Sequence, residues 1–282
     1  MNFAVSVARS DLHLQSGFAA SARRVRALVR RHAYLLVKSW PRLVSMAYYP
    51  TVTMVLWAFL TLYLKPTNSF LKDAPGFFIG AVLLWDVLFR GQLGVSLTFI
   101  EEMYSRNLGN LFVSPLRLSE FIAGQLTMSV LRTLIGVGGA CVFAWLLFRY
   151  SIISLGFPLI AFFWLLLAFG WSIGLAVSAM ILRFGLGAEE LAWAAIFILA
   201  PVSGVYYPIG VLPGWLQPVA WALPSAHVFE GMRGVLLEGT FAWSHFWSAL
   251  MLDGVYLCLG AFVFRLAVKH ARIHGRLLQM GE

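Results

Sequence analysis

Charged residues are scarce in this sequence. Asp, Glu, Lys and Arg make up 12% of its 282 residues, whereas hydrophobic residues make up 60%. Soluble domains usually carry about 25% charged residues, so this composition excludes a soluble domain. The apolar residues form runs of about 20 or more, the length that an α-helix needs to cross a bilayer. We therefore expect an all-α integral membrane protein rather than a barrel of short alternating strands.

Several sequence motifs are also missing, and each missing motif excludes a class of function. The two cysteines, Cys141 and Cys258, both lie inside apolar runs, which supports neither a disulfide framework nor a metal site. The phosphate-loop pattern G-x-x-x-x-G-K-[ST] does not occur, so we expect no ATP hydrolysis through that motif. The first 20 residues hold no continuous apolar core, so no signal peptide is expected. The net charge is +9, but in a membrane protein the positions of the basic residues along the chain matter more than their sum. We therefore expect no nucleic-acid partner.

A basic arm precedes six apolar runs. The arm, residues 1–42, carries seven Lys or Arg residues from Arg23 to Arg42, interleaved with apolar residues at helical spacing. This pattern predicts an amphipathic helix on the membrane surface, either a connector to the first span or an orientation signal that faces anionic lipid. The six predicted membrane spans cover residues 43–64, 77–100, 121–148, 152–182, 191–207 and 243–268, and a basic tail follows at 269–282.

Six spans place both termini on one side of the membrane. The basic arm and tail identify that side as cytoplasmic by the positive-inside rule. The polar segment 101–120 and the loop 183–190 are then cytoplasmic too, and segment 206–239 faces outward. That outer segment is rich in proline and aromatic residues, which predicts short re-entrant or interfacial helices before the last span. Lys65 and Lys72 on the outer side are a minor exception to the rule.

Segment 101–120, EEMYSRNLGNLFVSPLRLSE, allows two interpretations. Intramembrane CAAX-type proteases use E-E-x-x-x-R, which begins here at Glu101, and F-x-x-x-H, which Phe241 and His245 match. The third protease element, a histidine with Asn or Asp four residues on, is missing. The topology also separates Glu101 from His245 by about one bilayer thickness, too far for shared chemistry. The other interpretation is a docking helix that transmits force from a soluble partner to two spans.

The same segment resembles ABC-2 type transporter permeases. Its runs EEMYSRNL, LFVSPL and SEFIAG, which begin at Glu101, Leu111 and Ser119, are similar to the stretch that this family has between its second and third spans. The outer runs SGVYYP and LPGWLQ, which begin at Ser203 and Leu212, are similar to the stretch before its last span. The resemblance implies an ABC-2 transmembrane domain, with a cytoplasmic coupling helix between the second and third spans.

The resemblance also implies how the chain works. An ABC-2 permease is a homodimer that pairs with two copies of a separate ATP-binding subunit, which holds the ATP and Mg²⁺. This chain would then hold no cofactor, would be no enzyme, and would export an amphipathic compound across a bacterial inner membrane. The expected cargo is a lipid-linked saccharide or a hydrophobic drug-like compound, and a regulatory subunit that moves no cargo is the alternative. The implied coupling residues are Glu101, Glu102, Tyr104, Arg106, Asn107, Leu111 and Pro115.

Charges inside the predicted spans form a second candidate group. Asp86 and Arg90 are four residues apart, hence on one helix face. They either pair with each other or line the transport path. Arg132 and Asp253 lie in different spans and are candidate partners across two helices.

Polar residues of the outer segment form a third candidate group, on the exit side. The spacing of three between His227, Glu230 and Arg233 places them on one side of a short helix. They form either a polar cluster or a solvated helix face. Tyr206 and Tyr207 precede them in the same segment.

Overall fold

The computed structural model describes residues 17–64, 77–151 and 156–274, and every regular element in these ranges is helical. Three predicted features fall outside these ranges: the outer lysines Lys65 and Lys72, residues 275–282 of the basic tail, and residues 1–16 of the arm. In the described ranges the α-helices are α1 Phe18–Lys38, α2 Trp40–Leu64, α3 Phe77–Tyr104, α4 Leu108–Val113, α5 Leu118–Phe148, α6 Phe157–Phe184, α7 Glu190–Leu199, α8 Gln217–Trp221, α9 Pro224–Arg233 and α10 Trp243–Ile273.

Five of these helices, α2, α3, α5, α6 and α10, are long and apolar enough to cross a membrane. The shortest of them, α2, has 25 residues, or about 37 Å at 1.5 Å per residue. This exceeds the roughly 30 Å of a hydrocarbon core. The chain is therefore an all-helical integral membrane protein, as the composition predicts.

The predicted span at 191–207 does not form one long helix. α7 ends at Leu199 after ten residues, about 15 Å or half a hydrocarbon core, and turns follow it. Pro201 lacks the N–H that a continuing helix needs, and Gly204 adopts a left-handed conformation with φ of 63°. The apolar run at 191–207 is long enough for a span, but its proline and glycine break it.

The chain nevertheless returns across the bundle between α6 and α10. These two helices run in the same direction, because Phe157 and Trp243 at their starts have ring centroids 6.5 Å apart, whereas Arg183 and His270 near their ends line one groove. The connection must therefore lead from the end of α6 back to the start of α10. It does so through α7 and the turns that follow, a broken passage in place of the expected helix.

The bundle has two distinct ends. At one end, which we call the α4 end, the Arg272 guanidinium lies 4.9 Å from the ring centroid of Phe112 in α4. At the other, the α9 end, Tyr206 stacks on Trp57 with ring centroids 4.2 Å apart. Trp85 of α3 approaches Phe229 of α9 on the same side.

The centre of the bundle is the pair α3 and α6. About 72% of the apolar stretch of each is buried, against 17% to 33% for the other three long helices. Glycines bring the two backbones together, because a Cβ atom on Gly170 would lie 2.6 Å from the Leu88 carbonyl oxygen and one on Gly174 2.8 Å from that of Gln92. Small residues allow such close approach between membrane helices.

Gly170→Ala tests this close contact. The added methyl group would meet backbone atoms that cannot move aside, so we expect a loss of about 1–3 kcal/mol of stability. The control is Gly138→Ala in α5, where a Cβ atom meets nothing within 4 Å and alanine favours the helix. Thermal unfolding in detergent should show a lower midpoint for the first variant and an equal or higher one for the second. Equal midpoints for both would contradict the packing.

Candidate functional site

The polar segment 101–120 is the junction between α3 and α5 at the α4 end. Arg106 takes a left-handed backbone conformation with φ of 57°, which turns the chain out of α3. In α4, Leu108 and Phe112 pack onto the hydrophobic core beneath the helix. α4 ends at Val113, shortly before Pro115, because proline cannot continue a helix. α5 then begins at Leu118. The junction therefore folds back on itself, with α4 at its tip.

Glu102 is fully buried beneath this junction. Its carboxylate accepts hydrogen bonds from Arg31 Nη1 at 2.5 Å and Asn107 Nδ2 at 2.8 Å. His32 Nε2 lies 3.0 Å from Glu102 Oε1, within ion-pair distance when the imidazole is protonated. A buried carboxylate is stable only when charges and donors compensate its lost hydration. α1 supplies most of that compensation here.

Two neighbouring carboxylates are held in the same way. Glu101 accepts hydrogen bonds from Arg42 at 3.0 Å and from Arg132 at 2.9 Å. Glu120 accepts two from one guanidinium, Arg24 Nε at 2.8 Å and Arg24 Nη2 at 2.6 Å. Such bidentate pairs fix geometry as well as charge. The hydrogen bond to Glu120 also raises the pKa of Arg24.

The basic helix α1 presents one face to Glu102 and Glu120. Arg24, Leu28, Arg31 and His32 follow each other at helical spacings of three and four, so they share that face. Leu28 is buried and packs onto Gly124 of α5, where a Cβ atom would come within 2.5 Å of its side chain. α1 is thus fastened to the ends of α3 and α5 by charge and by close packing. We call Glu102 and Glu120 with their α1 partners Arg24, Arg31 and His32 the anchor network. Glu101 is held instead by Arg42 of α2 and Arg132 of α5.

The outer face of the junction is free of this network. The Val113 side chain at the end of α4 is 89% exposed and Tyr104 is 60% exposed, and Arg106 and Pro115 are exposed beside them. Tyr104 donates a hydrogen bond of 2.5 Å to Glu189, which ties this face to the turn between α6 and α7. Val113 and Tyr104 thus form an exposed patch of apolar and aromatic surface on this face of the junction.

Comparison with known proteins identifies the family. The family described as ABC-2 type transporter matches residues 23–237. The chain belongs to the ABC-2 type transporter family. It is 25% identical over 214 residues, 74% of its length, to ABC transporter G family member 20 of Dictyostelium discoideum. It is 27% identical over 164 residues, 52% of its length, to Linearmycin resistance permease protein LnrN of Bacillus subtilis (strain 168). The chain spans 28% and 40% of these relatives.

The structure divides the coupling residues expected of this ABC-2 chain into two groups. Tyr104, Arg106 and Pro115 point outward and are accessible to a partner. The side chain of Glu102 is buried, and those of Glu101, Asn107 and Leu111 are partly buried. The fully buried Glu102 cannot touch a soluble protein directly, and its structural role is to hold α1.

Sequence reasoning missed five residues of this site. Arg24, Arg31, His32 and Glu120 belong to the anchor network, and Val113 marks the exposed tip. A pattern in the sequence could have indicated the first group. A basic amphipathic helix comes before the first span, and an acidic pair, Glu101 and Glu102, comes later between two spans. The signal for Val113 is an apolar residue immediately before Ser-Pro in a polar segment.

Of the two candidate pairs of charges inside the spans of this ABC-2 chain, one forms and the other does not. Asp86 and Arg90 do pair, with Arg90 Nε 2.5 Å from Asp86 Oδ2. The expectation that Arg132 and Asp253 are partners is wrong. Arg132 pairs with Glu101 at 2.9 Å, because α5 carries it toward the α4 end, whereas Asp253 lies between α6 and α10.

The exit-side candidates form a brace at the α9 end. Glu230 pairs with Arg233 at 3.0 Å and accepts a hydrogen bond of 2.7 Å from the Ile209 N–H. Arg233 donates to the carbonyl oxygens of Gly204 and Tyr207. These contacts provide hydrogen-bond partners for backbone groups of residues 204–209, where the broken passage reaches the α9 end. Tyr206 lies in the same brace through its stack on Trp57.

His227 does not join the brace. Its Nε2 atom donates a hydrogen bond of 2.9 Å to the Trp221 carbonyl, and its Nδ1 atom lies 3.3 Å from His245 Nδ1. Burial lowers the pKa of His227, with an opposing contribution from the carbonyl. The expected cluster of three is therefore a charged pair with a separate histidine pair.

The protease interpretation gains no support from the geometry. Glu101 lies at the α4 end, paired with arginines, and His245 lies at the start of α10 beside Trp221. Among the described residues, no group of three or more His, Cys, Asp or Glu is placed to hold a metal ion. The E-E-x-x-x-R pattern therefore belongs to the ABC-2 junction.

Arg24→Glu tests the anchor network. The variant sets two carboxylates against each other at Glu120, so we expect α1 to detach and its amide hydrogens to exchange faster. Arg30→Glu is the matched control, because Arg30 is exposed on the same helix. Mass-spectrometric hydrogen exchange in detergent should show the effect in the first variant and little in the second, and Glu120→Arg should reverse it. Equal exchange in both single variants would refute the anchoring role.

Proposed function

We propose that this chain is the permease subunit of an ABC exporter. In this proposal it moves an amphipathic compound outward, driven by ATP that a separate subunit hydrolyses. The observation that carries the proposal is the anchored junction at the α4 end, where an exposed tip is covalently continuous with both α3 and α5. Membership of the ABC-2 family implies an ATP-binding partner. The tip is the surface of the described chain best suited to receive it.

The topology of the proposal rests on charge and on the course of the chain. The arginines of α1 gather at the α4 end, which the positive-inside rule assigns to the cytoplasm. α1 and the end of α10 both reach that end, so the first and last described helices share one side. We propose six crossings, five by long helices and one by the broken passage, in a bacterial inner membrane.

The proposed cycle uses α4 as a lever. ATP binding closes two partner subunits, which push on the exposed tips of two copies of this chain. Each tip moves with the ends of α3 and α5 and with α1, because the anchor network joins them. The glycine contacts between α3 and α6 carry the displacement into the bundle. A path between the two copies then opens outward.

The proposed cargo class draws on the name of one relative. The Bacillus subtilis relative is named as a linearmycin resistance permease protein, and we infer from this a drug-like compound rather than a lipid-linked saccharide as the cargo of this chain. ATP and Mg²⁺ reside on the partner in this proposal. The alternative is a subunit that regulates its ATPase without moving cargo.

Affinity purification tests the proposal. Tagged chain from native membranes, solubilised in mild detergent, should retain a phosphate-loop ATPase at equal stoichiometry, with ATPase activity that vanadate inhibits. Reconstituted vesicles should then accumulate cargo only with ATP. Recovery of the chain without any ATPase would sink the proposal, whereas ATPase activity without cargo movement would favour the regulatory alternative.

Val113→Asp tests the tip directly. A charge on this exposed apolar side chain should disrupt a packed contact with the partner, so co-purified ATPase should fall at least about tenfold, equivalent to about 1.4 kcal/mol. Val211→Asp is the matched control, because Val211 is 71% exposed at the opposite end of the bundle. It should leave the partner bound. Unchanged recovery with Val113→Asp would move the docking surface away from α4.

A further inference from the structure

A cleft of about 520 Å³ lies between α6 and α10 on the side of the bundle. α6 contributes Phe157, Trp164 and Trp171 to its wall, and α10 contributes Phe246 and Asp253. Phe157 is 60% exposed and Trp164 is 49% exposed, so the cleft opens outward from the chain rather than into its core. Its volume is within the range of small-molecule sites.

The aromatic wall of the cleft is held in place. Trp164 and Trp171 meet edge to face with ring centroids 6.4 Å apart. The Trp171 indole N–H donates a hydrogen bond of 3.1 Å to Ser129 Oγ, which in turn donates one of 2.8 Å to the Gly91 carbonyl. This chain of hydrogen bonds fixes the ring on α3 and α5. A ligand would therefore meet a pre-organised surface, which lowers the entropic cost of binding.

Among the described residues that line the cleft, Asp253 is the only ionisable one. The side chain is 3% exposed, and neither carboxylate oxygen has a hydrogen-bond partner among the described residues. It is the eleventh residue of α10, about 15 Å from the helix start and so near the middle of a hydrocarbon core. Asp86, by contrast, has its arginine. An unpaired carboxylate at this depth is unfavourable and points to function.

The space for a cation lies beside the carboxylate. Gly254 also lines the cleft, and a Cβ atom there would meet nothing within 4 Å. This opening widens the cleft next to Asp253 in the chain. Trp164 and Trp171 offer π faces that attract cations. The other wall residues are apolar and suit a hydrophobic body.

We propose that this cleft binds a lipophilic amine that enters from the hydrocarbon of the bilayer. Its ammonium group pairs with Asp253, and its apolar body packs against Trp164 and Trp171. Charge complementarity selects this occupant over a lipid acyl chain, which would leave the carboxylate unpaired. The inference does not depend on ATP coupling, because the site is built within one chain.

Equilibrium binding to the full chain in lipid nanodiscs tests the inference, without nucleotide or partner. The probe is the lipophilic cation rhodamine 6G, and the neutral dye Nile red is its uncharged counterpart, each measured by fluorescence anisotropy against empty nanodiscs. Asp253→Asn should weaken rhodamine 6G binding about tenfold or more and leave Nile red unchanged. Asp253→Glu, which keeps the charge, should retain rhodamine 6G binding.

Filling the cleft provides the second arm. Gly254→Leu should reduce binding of rhodamine 6G, whereas Gly138→Leu, placed in equally open space on α5, should not. Thermal unfolding midpoints report whether each variant is folded. Equal rhodamine 6G binding by wild type and Asp253→Asn would overturn the inference. Loss with Gly254→Leu alone would mean an apolar cleft that holds acyl chains or neutral ligands, which also overturns it.

Discussion

The architecture of the α4 end depends on buried carboxylates that require arginine partners. Glu102 and Glu120 are almost completely buried, and without compensation each would bear the full cost of lost hydration. α1 supplies the guanidinium groups that offset this cost. α1 is therefore part of the folded junction rather than a loose surface segment, although it lies outside the five long helices. The same residues leave the opposite face of α4 free for a partner.

In the proposed cycle, this constraint determines how a push on α4 is distributed. The tip is continuous with α3, and α3 with α6 forms the buried centre of the bundle. At Gly170 and Gly174 the backbones of these two helices lie too close for a side chain to fit between them, so we expect the two helices to move together. α2 and α10 instead present apolar side chains outward over most of their length, which suits contact with lipid. Force is thus directed to the core of the bundle.

Local patterns in the sequence predict the parts of the fold that depend on local chemistry. Apolar length predicts the five long helices, and a spacing of four predicts the pair of Asp86 and Arg90. Partners far apart in sequence were not predictable: Arg24 and Glu120 are separated by 96 residues, and their contact depends on how α1 packs against α5. Single residues can also override the average hydrophobicity of a segment. The run at 191–207 is apolar enough to predict a span, but Pro201 and Gly204 interrupt its helix.

We propose that α1 and α4 move as one unit when the partner acts. Spin labels at the exposed positions Arg30 and Ser114, in a chain whose two cysteines are replaced, would report their separation by pulsed electron resonance. Labels at Ser114 in the two copies would report the motion between them. On trapping with ATP and vanadate, the account predicts an unchanged separation of α1 from α4 and a changed separation between copies. A change or broadening of the separation between α1 and α4 would contradict it.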